Sequence, residues 1–455
     1  MIVAVIDIGK TNAKVALVDL ATLRETALRR SANAPLTGGP YPHHDIERLW
    51  TFILDSLAEL HRGQRIDAIS ITTHGATAVL VDADGGPALP VLDYEFSGPD
   101  DFAEDYDLIR PPFVETGTPR LPAGLNIGAQ LFWQQRRFPA EFSKAAAILM
   151  YPQYWAQRLT GVTANEVTSL GCHTDLWNPW TSDYSTLVDK MGWRRLMAPV
   201  RPAKDRLGPI LPALAQQTGL DPQTPVYCGL HDSNASLLPH LLSDAPPFSV
   251  VSTGTWVVSM AVGGGKVELD PARDTLVNVN ALGDPVPSAR FMGGREFSLL
   301  TDDGQPQDWS EDDVAAVLAR RTLLLPSTQQ GSGPFPHRQP QWLNADGTSG
   351  GERFVAISFY LALMTATCLE LIGGDGPTTV EGPFARNRLF TGMLAAATAR
   401  TVIASEAATG TSIGAALLAS KETPAHSKVE TIEPQTDPIW AAYFNAWRRA
   451  VEARS

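Results

Sequence analysis

The stretch Ile2–Asp19, IVAVIDIGKTNAKVALVD, constrains this chain more than any other. Its first run, Ile2 to Ile6, is continuously apolar, as in a strand buried on both faces. Gly9 breaks the run, and Ala13 to Val18 resumes it. The intervening turn carries Asp7, Lys10, Thr11, Asn12 and Lys14. A carboxylate at the tip of a buried strand, beside a turn rich in N–H groups and hydroxyls, suits Mg²⁺ and phosphate. A plain hairpin with a solvated turn shows the same pattern. The unit returns at Phe248–Val262, FSVVSTGTWVVSMAV, again strand, glycine-containing turn, strand. Two such units predict a duplicated α/β domain with a cleft between its halves. The polar, proline-containing break at Ser243–Pro247 places the boundary, giving domains 1–243 and 244–455.

The 455 residues are enough for two or three domains, and 44% hydrophobic against 19% charged residues allows sizeable cores. The net charge of −13 comes without a basic block, so nucleic acid is not an expected partner. Any anionic ligand must then be held by local dipoles or a metal. Cys172, Cys228 and Cys368 are far apart and fit no metal or disulfide spacing, which points to a reducing compartment. No charged leader precedes an apolar segment, and no apolar run is read as a membrane span, so the expected location is cytoplasmic, with no membrane partner. Periodicity predicts helices over 45–60, 128–137, 139–148, 235–242, 312–324, 351–372 and 387–398. Strands are expected at 67–72, 78–81, 226–230, 378–381 and 401–405, and short strands across 163–177.

Four further constellations carry chemistry. Ser252-Thr253-Gly254-Thr255 sits at a strand end with hydroxyls on both sides of a glycine, and can contact phosphate oxygens or simply turn a hairpin. In Gly229-Leu230-His231-Asp232-Ser233-Asn234, Asp232 is either a cap of the following helix, a role open to Ser233 or Asn234 as well, or a general base for a substrate hydroxyl. Thr73-His74-Gly75-Ala76-Thr77, followed by Asp93 and Glu95, offers polar groups suited to a polyol. Val380 to Asn387, with the small residues Gly410 and Gly414 to Ala416, allows either close approach of a flat adenine or tight helix packing.

These stretches in this order resemble the FGGY family of carbohydrate kinases, over nearly the whole chain. DIGKTNAKV is similar to the family's first phosphate motif, THGAT to its sugar loop and GLHDSNAS to its catalytic-aspartate motif. STGTW is similar to the second phosphate motif, and EGPFARN with GTSIGAALLA to the adenosine motif; RLTG at 158–161 also fits. The resemblance implies two ribonuclease-H-like, actin-like ATPase domains, with sugar bound by the first and ATP by the second. It implies Asp232 as the base that deprotonates a sugar hydroxyl, and Asp7 as the acid near Mg²⁺. Thr11 and Asn12 fall in the first phosphate turn, and Thr253, Gly254 and Thr255 near the terminal phosphates. Gly382, Pro383, Phe384 and Asn387 fall on adenosine-contacting positions, and His74 and Glu95, with Asp232, on sugar-contacting ones. Two departures stand out. Pro383 replaces one of a pair of glycines and removes an N–H. Leu92-Asp93-Tyr94-Glu95 replaces a Trp-x-Asp-x-Arg pattern, which leaves the sugar open. The His231-Asp232-Ser233 grouping is similar to rhamnulose and fuculose kinases. The implied activity is ATP-dependent phosphorylation of a ketose or polyol, with a homodimer compatible with the family. The alternative is a catalytically silent, ATP- or sugar-gated sensor on the same fold.

Overall fold

The computed structural model describes residues 1–301, 308–405, 410–420 and 429–454. The chain forms two compact units. The first takes Met1–Ser243, Val277–Pro285 and Thr409–Ala425; the second takes Asp244–Leu276, Val286–Ala408 and His426–Ser455.

In the first unit the opening stretch forms β1 (Ile2–Ile8) and β2 (Asn12–Asp19), paired antiparallel from Ile2↔Asp19 to Ile8↔Ala13. β3 (Arg24–Ala32) adds antiparallel to β2, and β4 (Ala68–Thr73) lies parallel to β1 on its other side. Strands Pro225–Tyr227 and Leu230–His231 pair parallel with β4. β1 opens as a continuous apolar run and every residue of β4 is buried, because both faces of this sheet are covered. One covering element is helix α1 (Ile46–Gly63), which turns Leu49, Ile53, Leu57 and Leu60 onto the sheet.

The second unit repeats the plan. Phe248–Thr253 pairs antiparallel with Val257–Val262, which pairs antiparallel with Pro285–Phe291. On its other side Phe248–Thr253 runs parallel to Thr378–Glu381, and that strand parallel to Val402–Ser405. Strand order and directions match the first unit, so the duplicated α/β architecture expected from the sequence is present. Helix Gly350–Leu371 fills this unit's core; Ser349 and Glu352 close a capping box at its start. It is apolar around most of its circumference because sheet and helices surround it. It is long and apolar enough to cross a bilayer, contrary to the reading of the bare sequence, but 83% of its most apolar window is buried within the fold.

Several local expectations are corrected. Residues 139–148 are not one helix: a single turn at Pro139–Phe142 is followed by strand Ala147–Met150, paired with Ala78–Val81. A short apolar run reads alike as helix or strand, and strand pairing decided it. Residues 163–177 hold a helical turn, Val167–Leu170, capped by Glu166, with a strand only at Trp177–Asn178. The helix expected to 324 ends at Arg320, and Leu323–Leu325 is a strand. The helix expected from Ala235 begins at Asp232 itself, so Ser233 and Asn234 lie inside its first turn rather than ahead of it.

Candidate active site

The register of the first sheet assembles a cluster of acids. Asp7 stands level with Thr72, and Thr72 with Leu230; one residue on, Ile8, Thr73 and His231 are level. The parallel strands therefore end together, and their carboxyl edge carries Asp7, His74 and Asp232, the usual place for ligands in such sheets. Gly229 makes this possible: it has φ +81°, and a Cβ there would lie 2.5 Å from the Ile71 carbonyl oxygen.

Asp232 opens its helix with a side chain one-third exposed. Its Oδ1 accepts from the Ser233 N–H at 2.6 Å and lies 3.1 Å from His231 Nε2. Burial lowers the His231 pKa to about 4, so the ring is neutral, and the contact to a carboxylate assigns its proton to Nε2. Burial raises the Asp232 carboxyl above the ordinary range, and the hydrogen bonds from Ser233 oppose it. Gly75 admits His231, since a Cβ there would sit 2.8 Å from Nε2. His74 is buried, with Nδ1 2.8 Å from the Gly75 carbonyl oxygen and Nε2 lacking a hydrogen-bond partner among the described residues. Burial lowers it to about 4, which leaves a neutral ring with a lone pair to offer. His44, Tyr94 and Tyr151 surround it, with ring centroids 5.2, 5.4 and 5.2 Å away. Asp7 is pushed up to about 6 by burial, drawn down by Lys14 at 3.5 Å and pushed up again by Asp232.

Thr11 and Asn12 are exposed at the tip of the β1–β2 turn. Asn33 holds that turn, donating its backbone N–H to the Thr11 carbonyl and Nδ2–H to the Gly9 carbonyl, both at 2.8 Å. Lys10 leaves the turn and places Nζ on Asp93 Oδ1, 3.4 Å from Glu95 Oε2 and 4.7 Å over the Tyr94 ring.

In the second unit, Thr253 and the 381–387 segment are tied together. The Thr253 hydroxyl donates to the Glu381 carbonyl and accepts from the Phe384 N–H at 3.1 Å. Gly382, at φ +83°, is obligatory, because a Cβ would lie 2.0 Å from the Thr253 carbonyl oxygen. Pro383 starts a one-turn helix, where its missing N–H has no partner to lose. Asn387 caps helix Arg388–Thr398 and donates to Ser358 Oγ at 3.0 Å. Gly254 and Thr255 are exposed, and with Arg295, Phe297, Trp309 and Phe384 they line a cavity of about 750 Å³. Gly294 brings the start of its helix against this turn: a Cβ would meet the Gly254 carbonyl oxygen at 2.0 Å.

Comparison with known proteins fits this arrangement. Residues 2–239 match the N-terminal domain of the FGGY family of carbohydrate kinases, and residues 245–428 match the carbohydrate kinase FGGY C-terminal domain. This chain belongs to the FGGY family of carbohydrate kinases. A solved carbohydrate kinase from Novosphingobium aromaticivorans is similar at 38% identity and TM-score 0.91, over 99% of this chain and 98% of that one. An L-fuculokinase of Haemophilus influenzae is 24% identical over 277 residues, so the match spans 57% of either chain. The fold is also that of Plasmodium falciparum glycerol kinase with ADP, at TM-score 0.78 and 14% identity over 99% of this chain and 98% of that one.

For this FGGY chain, sequence reasoning singled out residues in both clusters but missed the groups that hold them. Asn33, His44, Tyr151, Arg295 and Trp309 belong to no short motif and reach their places through long-range packing. The Gly414–Ala416 stretch shows the tight-packing alternative: a Cβ on Gly414 would lie 1.7 Å from the Ala235 carbonyl oxygen, and the Ala415 carbonyl accepts from Ser70 Oγ at 2.6 Å.

Proposed function

We propose that this protein transfers the γ-phosphoryl group of ATP to a hydroxyl of a ketose or polyol, with Asp232 as general base. The placement of Asp232 carries the reading: a partly exposed carboxylate at the carboxyl edge of a parallel sheet, beside a neutral His74 lone pair. The sugar hydroxyl gives its proton to Asp232, and its oxygen forms a bond to phosphorus as the bond to the ADP oxygen breaks. Held by His231 and Ser233, the carboxylate is oriented before substrate arrives. His74 Nε2 and Glu95 accept hydrogen bonds from other sugar hydroxyls in this scheme. Sugar is assigned to the first domain, 1–243, and ATP to the second, 244–455. There the exposed Gly254–Thr255 turn serves the phosphates, and the aromatic cavity beside Phe384 serves the base.

Mg²⁺ commonly takes one or two carboxylates and fills its remaining positions with phosphate oxygens and water. Asp7 fits that demand: a largely buried carboxylate whose charge Lys14 offsets only from 3.5 Å. Bound there, the ion would supply positive charge to the phosphoryl oxygens. Asp7→Ala is accordingly expected to lower kcat by about 10²-fold and to raise the Mg²⁺ concentration needed for half-maximal rate. Steady-state rates across a Mg²⁺ titration check this, and an unchanged Mg²⁺ dependence removes Asp7 from the role.

The function itself is tested by coupled ADP release over L-rhamnulose, L-fuculose, D-xylulose, L-ribulose and glycerol. At least one is expected to raise ADP release far above the rate with water alone. Sugar binding without stimulated release would instead identify a sensor.

A further inference from the structure

We infer that Lys10 is a positioning residue that sets acceptor stereoselectivity, by bolting Asp93 and Glu95 into a wall that reads the hydroxyls of an uncharged sugar. The inference rests on the kinase reading above and goes beyond it.

Lys10 occupies the turn that also holds Thr11 and Asn12, where a lysine would ordinarily be taken for a phosphate ligand. Its ammonium points elsewhere. It is bonded to Asp93 Oδ1, reaches Glu95 Oε2 at 3.4 Å and stands 4.7 Å over the Tyr94 ring. The Lys10 side chain is 16% exposed and that of Asp93 6%, so this pair is screened little by water. Removing the ammonium leaves a buried carboxylate whose Oδ1 keeps the Glu95 N–H at 3.2 Å. Glu95 differs: its carboxylate is 65% exposed, and Lys10 is its ion-pair partner. Its position therefore depends on Lys10, while its outer oxygen stays free for a ligand.

The wall continues through Tyr94 to His74, whose ring meets Tyr94 edge-on at 5.4 Å. It thus offers two acceptors, a buried imidazole lone pair at its inner end and an exposed carboxylate at its outer end. Two hydroxyls of correct relative configuration can donate to both; inverting one carbon withdraws one donor. A site built to receive a hydroxyl proton discriminates strongly when it goes unmet. The wall carries two carboxylates against one ammonium, so it favours a neutral ketose or polyol over a sugar acid.

The test uses two pairs of ketoses that differ only at carbon 4: L-rhamnulose with L-fuculose, and L-ribulose with D-xylulose. For wild type, Lys10→Met and Lys10→Arg, kcat and KM are measured for each sugar, and ADP affinity by direct titration. Lys10→Met is expected to raise KM for the preferred sugar about thirty-fold and to shrink the epimer ratio of kcat/KM about ten-fold. Lys10→Arg recovers part of the ratio, and ADP affinity stays within about two-fold of wild type. An unchanged KM and epimer ratio in Lys10→Met, or an ADP affinity that falls with the charge, overturns the inference. Should Lys10→Met not fold, Asp93→Asn reads the same bolt and is held to the same outcomes. A wild type that phosphorylates none of these sugars overturns the kinase reading and this inference together. An active wild type with indifferent variants overturns this inference alone.

Discussion

Asp232→Asn is expected to lower kcat by about 10³- to 10⁴-fold while leaving ADP affinity within about two-fold. The amide matches the carboxylate in shape. Its oxygen still accepts from the Ser233 N–H at 2.6 Å and from His231 Nε2 at 3.1 Å, so the start of the helix keeps its bonds. What is lost is the lone pair that takes the sugar proton. The pH profile adds an independent reading. Burial raises the Asp232 carboxyl, and burial also pushes Asp7 up, to about 6. A base works only when ionised, so kcat/KM falls as pH drops through these raised values, well above the ordinary aspartate range. That limb belongs to the pair of acids rather than to either alone. The residual activity of Asp232→Asn is expected to lack the Asp232 contribution to it. A variant with wild-type kcat ends the assignment of the base, and an ADP affinity that falls as far as kcat makes Asp232 a structural residue.

The parts of this design legible in the sequence are those whose cause is local. Ile2 to Ile6 is a continuous apolar run and Phe248 to Val251 is one broken only by Ser249; each leads to a glycine-containing turn, and that is enough to mark two buried strands and a repeated unit. Motif spacing likewise marked Asp7, His74 and Asp232 at strand ends. What the sequence hides is set by distance along the chain. Lys10 and Asp93 are 83 residues apart, and nothing near either shows that the ammonium is drawn away from the phosphate turn. Likewise, the loop ahead of α1 brings the His44 ring to 5.2 Å from His74, with its backbone N–H held by the Val91 carbonyl. Gly75 looked like part of a polar loop; its requirement appears only with His231 beside it. Thr253 and Asn387 looked like nucleotide ligands, but both side chains are also engaged within the protein, one tying a turn and one capping a helix. Such double use cannot be read from a motif.

Glu166→Gln is expected to flatten the loss of stability at alkaline pH. Glu166 is completely buried; its Oε2 accepts from the Thr168 N–H at 3.0 Å and from the Thr168 hydroxyl, while Oε1 has no hydrogen-bond partner among the described residues. Burial pushes the carboxyl up to about 8, with the Thr168 and Ser169 bonds opposing it. The folded protein therefore holds this group protonated where the unfolded chain, at 4.5, is ionised. The stability this contributes is complete below 4.5 and disappears as pH rises through about 8. Each pH unit inside that window costs about 1.4 kcal/mol, roughly 3 to 5 kcal/mol across it. Glutamine has no proton to lose, and its amide oxygen still receives the Thr168 bonds. Urea unfolding at pH 5 and pH 9 should show wild type losing more stability than the variant by that amount; parallel losses mean the carboxyl is not held neutral. The site is not incidental to function. The Thr168 hydroxyl that donates to Glu166 accepts the His231 N–H at 2.9 Å, immediately ahead of Asp232. A neutral acid or amide at position 166 keeps that bond, so turnover of Glu166→Gln at pH 7 should stay near wild type. An ionised, unsolvated Glu166 at pH 9 strains the turn that fixes the general base, and the variant should then outlast the wild-type protein.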